Sequence, residues 1–186
     1  MHLPPNWRQR LIDGPRNARK SPRSMATSSD ATQLDSYDRK ILAELQEDGS
    51  LGPVEISARI NLSASQCSRR MQRLRDRGLI DRTVAILDRE ALKLGISAII
   101  LVRLGSHSAE NERLFLERIE KLPEVVACHY VTGDLDFILH VVTRDLVSYE
   151  ELLRKNLLTG AEVSACRSNI ILRTTKETTS LPLHFA

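Results

Sequence analysis

The chain has 186 residues, of which 41% are hydrophobic and 27% charged, with a net charge of +3. That length holds one large or two small domains with cores of their own, while a charge so near neutrality identifies no partner by itself. The longest apolar run, Ala98–Val102, is far short of the roughly 18 residues of a membrane span, the basic start lacks the apolar stretch of a secretion signal, and Cys67, Cys128 and Cys166 have no metal-binding spacing and read as reduced, cytoplasmic thiols.

Residues 1–33 are rich in Pro, Arg, Ser, Asn and Thr without periodicity, so they bury too little apolar area to offset ordering, and a tail is expected. It carries Arg8, Arg10, Arg16, Arg19, Lys20 and Arg23, which suit non-specific contact with DNA phosphates but are equally compatible with no role, and Met25 is a plausible alternative start. Asp35 then predicts an N-cap for a helix whose apolar stripe is Leu34, Tyr37, Ile41, Leu42 and Leu45 and which Asp48-Gly49 ends.

Leu51–Ile80 reads as a helix-turn-helix. Pro53 suits a first helical turn, because its missing N–H has no partner there, and Leu51, Ile56 and Ile60 recur at helical spacing. Asn61 stands at the sharp turn, where a left-handed backbone is needed and Asn is tolerated. Ser63 with Gln66 forms a capping box for the second helix, and Gly78 closes it with a left-handed cap. On a wheel of 100° per residue, Cys67, Met71 and Leu74 share one narrow arc that packs inward. The opposite arc carries Ser65, Gln66, Arg69, Gln72 and Arg73, with Ser63, Ser68 and Arg70 beside it. Arg bonds bidentately to guanine, Gln pairs with adenine and Ser bonds to either base. A solvated arginine face is the bland reading; the short preceding helix, the Asn turn, the capped start and the flanking Arg75, Arg77 and Arg82 favour insertion into the major groove. Six of the 27 basic residues fall between Arg69 and Arg82, against Asp76 and Asp81 alone. With the preceding helix this makes a minimal three-helix domain over 34–80.

Leu79–Leu87 alternates and predicts a strand that serves as a wing or a linker ladder, with the linker as a whole at 81–95. From Ile96 the period changes. Ile96–Leu104 predicts a strand, Glu110–Leu122 a helix stopped by Pro123, Val125–Val131 a strand, and Thr132–Leu135 a tight turn. Phe137–Thr143 predicts the next strand, Asp145 caps a helix that Gly160 ends, and Val163–Thr174 is the last strand. The order β-α-β-β-α-β is the ferredoxin-like arrangement, an antiparallel sheet with both helices on one face, here over 96–176 with a tail at 177–186. The bare face needs a cover, and only a sister subunit supplies one; a sheet-mediated homodimer places two recognition helices about 34–36 Å apart. The fold class expected is therefore α+β, a (winged) helix-turn-helix domain followed by a ferredoxin-like domain.

Residues 34–183 resemble the Lrp/AsnC family of bacterial transcription regulators. Leu34-Asp35-Ser-Tyr-Asp38-Arg39-Lys40-Ile41-Leu42 is similar to its first helix, and Val54-Glu55-Ile56-Ser57, Leu62-Ser63, Cys67, Arg70, Arg73-Leu74, Gly78 and Ile80 follow its DNA-binding helices. Cys128-His-Tyr-Val-Thr-Gly133-Asp134-Leu-Asp136 resembles the turn of its effector domain, and Thr178-Thr-Ser-Leu181-Pro182-Leu183 its usual end. The resemblance implies a cytoplasmic, nucleoid-associated regulator of double-stranded DNA, a dimer assembling to tetramers or octamers, acting near its own gene and answering to a small molecule, often an amino acid. It also implies a pocket between subunits around Thr132, Gly133, Asp134 and Asp136, with Asn169, Ile170 and Ile171 nearby. The chemistry is reasonable: the turn N–H groups receive a carboxylate, and Asp134 or Asp136 pairs with an ammonium. Gly133-Asp134 is also what a plain tight turn uses. Asn61 stands for a usual Gly, Leu135 and His140 for an aromatic and a Lys, and Asn169 for the aromatic of a leucine responder, which points away from leucine.

A sequence-specific, effector-responsive DNA-binding regulator is the leading function. The alternative is a ligand-independent nucleoid-organising protein, marked by weak sequence preference and steep salt dependence. An enzyme is not expected: no catalytic nucleophile–base pair, metal site or phosphate loop is found, and no cofactor is implied.

Overall fold

The computed structural model describes residues 34–106 and 108–185, so the expectations for 1–33 lie outside the described residues. The chain forms two compact units: residues 34–79 with the returning end 181–185, and residues 80–180.

Among the described residues the first unit holds three α-helices, α1 (Ser36–Glu47), α2 (Pro53–Ile60) and α3 (Ala64–Asp76), and a short 3-10 turn at Leu183–Phe185. Each α-helix begins where a side chain or a proline meets the orphan donors of a first turn. Asp35 Oδ1 accepts from the Asp38 N–H at 2.8 Å. Pro53 opens α2, and Glu55 Oε2 accepts from the Gly52 N–H at 3.0 Å. At α3, Ser63 Oγ accepts from the Gln66 N–H while Gln66 Oε1 accepts from the Ser63 N–H, the reciprocal box expected. Asn61 takes φ 57° and ψ 48°, the left-handed corner between α2 and α3. Gly78 has φ +72°, with Gly78 N–H bonded to Arg75 C=O and Leu79 N–H to Leu74 C=O, which is a Schellman closure. The core is Ile41, Leu42, Ile56, Ile60, Cys67, Met71 and Leu74, all buried. The chain end joins this unit through one amide: Gln46 Oε1 accepts from the Leu181 N–H at 2.6 Å and Gln46 Nε2 donates to the Leu181 C=O at 3.3 Å.

The second unit is β1 (Ile96–Leu104), α4 (Ala109–Ile119), β2 (Val125–Tyr130), β3 (Phe137–Thr143), α5 (Leu146–Leu152) and β4 (Val163–Ile170). The strands lie in the order β2-β3-β1-β4 and every pairing is antiparallel, the ferredoxin-like sheet. One side of the sheet supplies Ala98, Ile100, Val102, Phe137, Leu139 and Val141 to a core completed by Phe115 and Ile119 of α4 and Tyr149, Leu152 and Leu157. Each Val, Leu, Ile or Phe side chain among them, fully buried, is worth about 1.5–3 kcal/mol. Phe115 and Phe137 meet at 4.7 Å between ring centroids. The alternate residues, among them Ile99, Leu101, Arg103, Ile138, His140 and Arg167, stand on the other face, which no helix of this unit covers.

Three expectations are corrected. Residues 79–87 and the wider linker 81–95 form no ladder: 81–88 pairs with no strand among the described residues, leaving Val84, Ile86 and Leu87 exposed, and Asp88 caps a turn at 89–93 instead. Alternation supplies a pleat but not an edge to pair with. The last strand stops at Ile170 rather than Thr174: its ladder with β1 ends at the Ala98–Ile170 pair, the Ile171 N–H makes one further bond to Ser97 C=O, Leu172 is exposed, and in this register Thr174 falls beyond Ile96, where β1 begins. The helix after Asp145 leaves α-geometry at Leu153 for a wider turn ending at Leu157, short of Gly160.

Candidate nucleic-acid interface and effector site

The exposed side of α3 is where groove-reading groups were expected, and its electrostatics divide the helix lengthwise. Asp38 of α1 is buried at 1% exposure, although it is charged. A carboxylate so far from water persists only with partners that replace its hydration. Two guanidiniums of α3 supply them. Arg73 Nη2 donates to both Asp38 oxygens at 2.7 and 2.9 Å. Arg70 Nη1 donates to Asp38 Oδ1 at 2.8 Å and to Asp35 Oδ2 at 2.6 Å, with its guanidinium over the Tyr37 ring. The bond to Asp35 raises the Arg70 pKa further. Burial pushes the Asp35 carboxyl up, but the Asp38 N–H and Arg70 outweigh it and leave it below the usual carboxylate range.

Of the eight residues predicted to bind DNA, Arg70 and Arg73 are thus engaged in fixing α3 to α1. Their places on the wheel explain the difference: Arg70 adjoins the inward arc beside Leu74, and Arg73 lies one turn beyond Arg69 toward α1. Ser63 and Gln66 are committed to the capping box, and Gln72 donates to Asp76 Oδ1 at 2.8 Å along the helix surface. Ser65 lies exposed, 3.1 Å from the Ser63 hydroxyl. Ser68 and Arg69 are exposed and have no side-chain partner among the described residues. Arg69 is therefore an unpaired cation with a full set of guanidinium donors, on the side of α3 opposite its buried face. The buried Asp38 was missed; its signal was the pair Asp35/Asp38 three apart on α1 with Arg70/Arg73 three apart on α3.

In the second unit the turn after β2 is held against the end of β1. The Val131 N–H bonds to Asp136 C=O, the Asp136 N–H to Val102 C=O, and Asp136 Oδ2 accepts from the Leu104 N–H at 2.7 Å. Asp136 is buried, so its carboxylate braces this junction and does not face an open site. Thr132, Gly133 and Asp134 remain exposed, with Gly133 at φ +110°, a conformation side chains rarely adopt. The N–H groups of Thr132, Gly133 and Asp134 have no hydrogen-bond partner among the described residues. Arg103 Nε donates to Asp134 C=O at 2.6 Å. Beside it lies a depression of about 390 Å³ lined by Leu101, Arg103, Asp134, Leu135 and the β4 residues Ala165, Cys166 and Arg167.

Asn169, Ile170 and Ile171 do not share it within one chain. Because β4 runs antiparallel to β1, the start of β4 neighbours the turn, whereas Asn169 faces Ile99 and Ile170 faces Ala98 toward the other end of β1. Arg103 and Arg167 were not among the expected site residues; Arg103 carries a signal as a charge interrupting the apolar pattern of β1, whereas Arg167 stands in a largely polar strand and carries none. His140 Nε2 lies 2.8 Å from the Ser97 hydroxyl and is a satisfied sheet residue. The three cysteines are unpaired; burial pushes Cys128 up to about 11 and also raises Cys67 and Cys166, so they behave as small apolar side chains. Among the described residues no helix is long and apolar enough to cross a membrane.

Residues 34–81 match the model of a winged helix-turn-helix DNA-binding domain, and residues 97–181 match the Lrp/AsnC ligand-binding domain. The chain is 34% identical over 150 residues to the transcriptional regulator AzlB of Bacillus subtilis, covering 81% of this chain and 96% of that one. It is 33% identical to the DNA-binding transcriptional activator DecR of Escherichia coli, covering 81% and 99%. Among solved structures, a Neisseria meningitidis transcriptional regulator in complex with L-Met superposes with a TM-score of 0.79 at 36% identity, covering 83% of this chain and 100% of that one. With both of its units matched in order, the chain belongs to the Lrp/AsnC family of DNA-binding transcription regulators.

Proposed function

We propose that this regulator reads its operator with the exposed side of α3, led by Arg69 with Ser65, Ser68 and Gln72, and that an amino acid seated against the 132–136 turn controls that binding by changing self-association. The division of α3 carries the DNA half: Arg70 and Arg73 fix the helix, and Arg69 meets no carboxylate among the described residues. A guanidinium so placed makes a bidentate pair with guanine in a major groove. The effector half is supported by the unpartnered turn N–H groups and by a relative crystallised with L-Met. Self-association is supported by the uncovered sheet face, where Ile99, Leu101 and Ile138 are only half-buried, and by the exposed apolar side chains of Val84, Ile86 and Leu87. A second copy laid on that face turns the shallow depression into a closed pocket and brings paired recognition helices to one duplex. A ligand favouring one assembly then shifts which helices engage DNA together.

The test is fluorescence anisotropy of the full chain on DNA from upstream of its own gene, with random DNA as control, across salt concentrations and the twenty amino acids, with assembly followed by light scattering. Operator binding that one amino acid changes, together with a change in mass, is the expected result. Equal affinity for both DNAs with no ligand response replaces this reading with a DNA-organising protein. Operator preference without any ligand response removes the effector half alone.

A further inference from the structure

We infer that the depression between the Thr132–Asp134 turn and the start of β4 selects an effector with a second anionic group: an acidic amino acid such as glutamate or aspartate in preference to a neutral one. The inference rests on the reading that the effector seats at the turn, and it names the ligand's charge class.

In the β1/β4 register Arg167 faces Leu101 and Arg103 faces Ala165, so the two arginines are diagonal neighbours on one face of the sheet, within reach of each other's long side chains. Both line the depression, and neither forms an ion pair with any carboxylate among the described residues. Arg103 is oriented by its bond to the Asp134 carbonyl, which leaves its remaining N–H groups for another acceptor. Asp134 is the only carboxylate in the lining among the described residues. Two cations against one anion leave one positive charge in excess. An amino acid places its ammonium on Asp134 and its α-carboxylate on one guanidinium and the turn N–H groups. With a neutral side chain the second guanidinium stays unmatched; a side-chain carboxylate matches it by a bidentate fork. Closure of the pocket strengthens the preference, because an unpaired cation costs more as water leaves. The half-buried Leu101 and Leu135 suit the methylenes between the two carboxylates.

Isothermal titration of the full chain with L-glutamate and L-aspartate, set against L-glutamine, L-asparagine, L-leucine and L-methionine, tests this directly. Each acid is nearly the same shape as its amide, so the comparison isolates charge. At least one acid is expected to bind tenfold or more tightly than its amide, and Arg167→Gln to remove that preference. Should Arg167→Gln fail to give a native circular dichroism spectrum, Arg103→Gln and Arg167→Lys provide the same reading, the lysine keeping the charge and losing the fork. Amides or apolar amino acids binding as tightly as the acids overturn the acidic class while leaving an effector at this turn. An acid preference that survives both Arg167→Gln and Arg103→Gln overturns the residue assignment. Binding by none of the six, with no amino acid altering DNA affinity, instead fails the effector reading on which the inference stands.

Discussion

The two units place arginines in opposite situations. In the helical unit, Arg70 and Arg73 meet a carboxylate from their own chain, Asp38, which is 1% exposed. In the sheet unit, Arg103 and Arg167 line an open depression and meet no internal carboxylate among the described residues. The same residue type thus serves the fold in one place and is left available to an outside ligand in the other. Whether the chain itself supplies the counter-charge decides which. Arg69 shows that the distinction works within a single helix: it lies one residue from Arg70 and has no partner among the described residues.

The comparison predicts contrasting losses. Arg70→Gln with Arg73→Gln strands the buried Asp38 charge, and about 3–5 kcal/mol of stability should be lost, seen as a lower urea midpoint and faster hydrogen exchange across α1–α3. The matching pair, Arg103→Gln with Arg167→Gln, removes exposed cations and should move stability by no more than about 0.5 kcal/mol in either direction. Equal losses from the two double variants would erase the distinction. Arg69→Ala should leave the urea midpoint in place and cost about 1–3 kcal/mol of discrimination between operator and random DNA, measured by anisotropy. A fall in stability with discrimination intact would move Arg69 into the class of Arg70.

Smaller effects probe the caps that both units share. Ser63→Ala removes the acceptor of the Gln66 N–H and should destabilise the helical unit by about 1 kcal/mol, readable in the same urea titration. In the sheet unit, the Ser148 N–H and the Arg144 guanidinium hold the Asp145 carboxyl down at about 2. A folded pKa below the unfolded value makes its contribution complete above the ordinary carboxylate range and lost as pH falls toward 2. Protection of the amides at the start of α5, taken as the exchange rate relative to the intrinsic rate at each pH, should accordingly fall between about pH 4 and pH 2, and Asp145→Asn should flatten that dependence.

Local signals carried much of the fold because they act within one turn of helix or one pleat. Asp35, Pro53, Asn61, Ser63 with Gln66, and Gly78 each satisfy or bend a nearby backbone, and each stands where the sequence placed it. The strands of the second unit were legible to within a few residues, with errors where pairing decides the length. Val84 and Ile86 alternate as a strand would and find no partner, and Thr174 lies past the end of the strand that β4 pairs with. The candidate sites were less legible. Arg70 and Arg73 look on a wheel like groove-facing cations, Asp136 looks like an ammonium partner, and Asn169 looks close to the turn.

The sequence by itself determined the helix caps, the left-handed corners, the apolar faces and the order of elements, since each depends on neighbours a few residues away. Only the tertiary structure decided which charges are matched. Asp38 and Arg73 are 35 residues apart, and Leu104 and Asp136 are 32 apart, yet each pair makes a hydrogen bond of 2.7 Å. Long-range pairing is set by how helices cross and how strands register, and a buried carboxylate draws in whichever donors that packing brings within reach. Among the described residues the same packing leaves Arg69, Arg103 and Arg167 without a carboxylate partner, and so marks the surfaces where DNA and effector are proposed to bind.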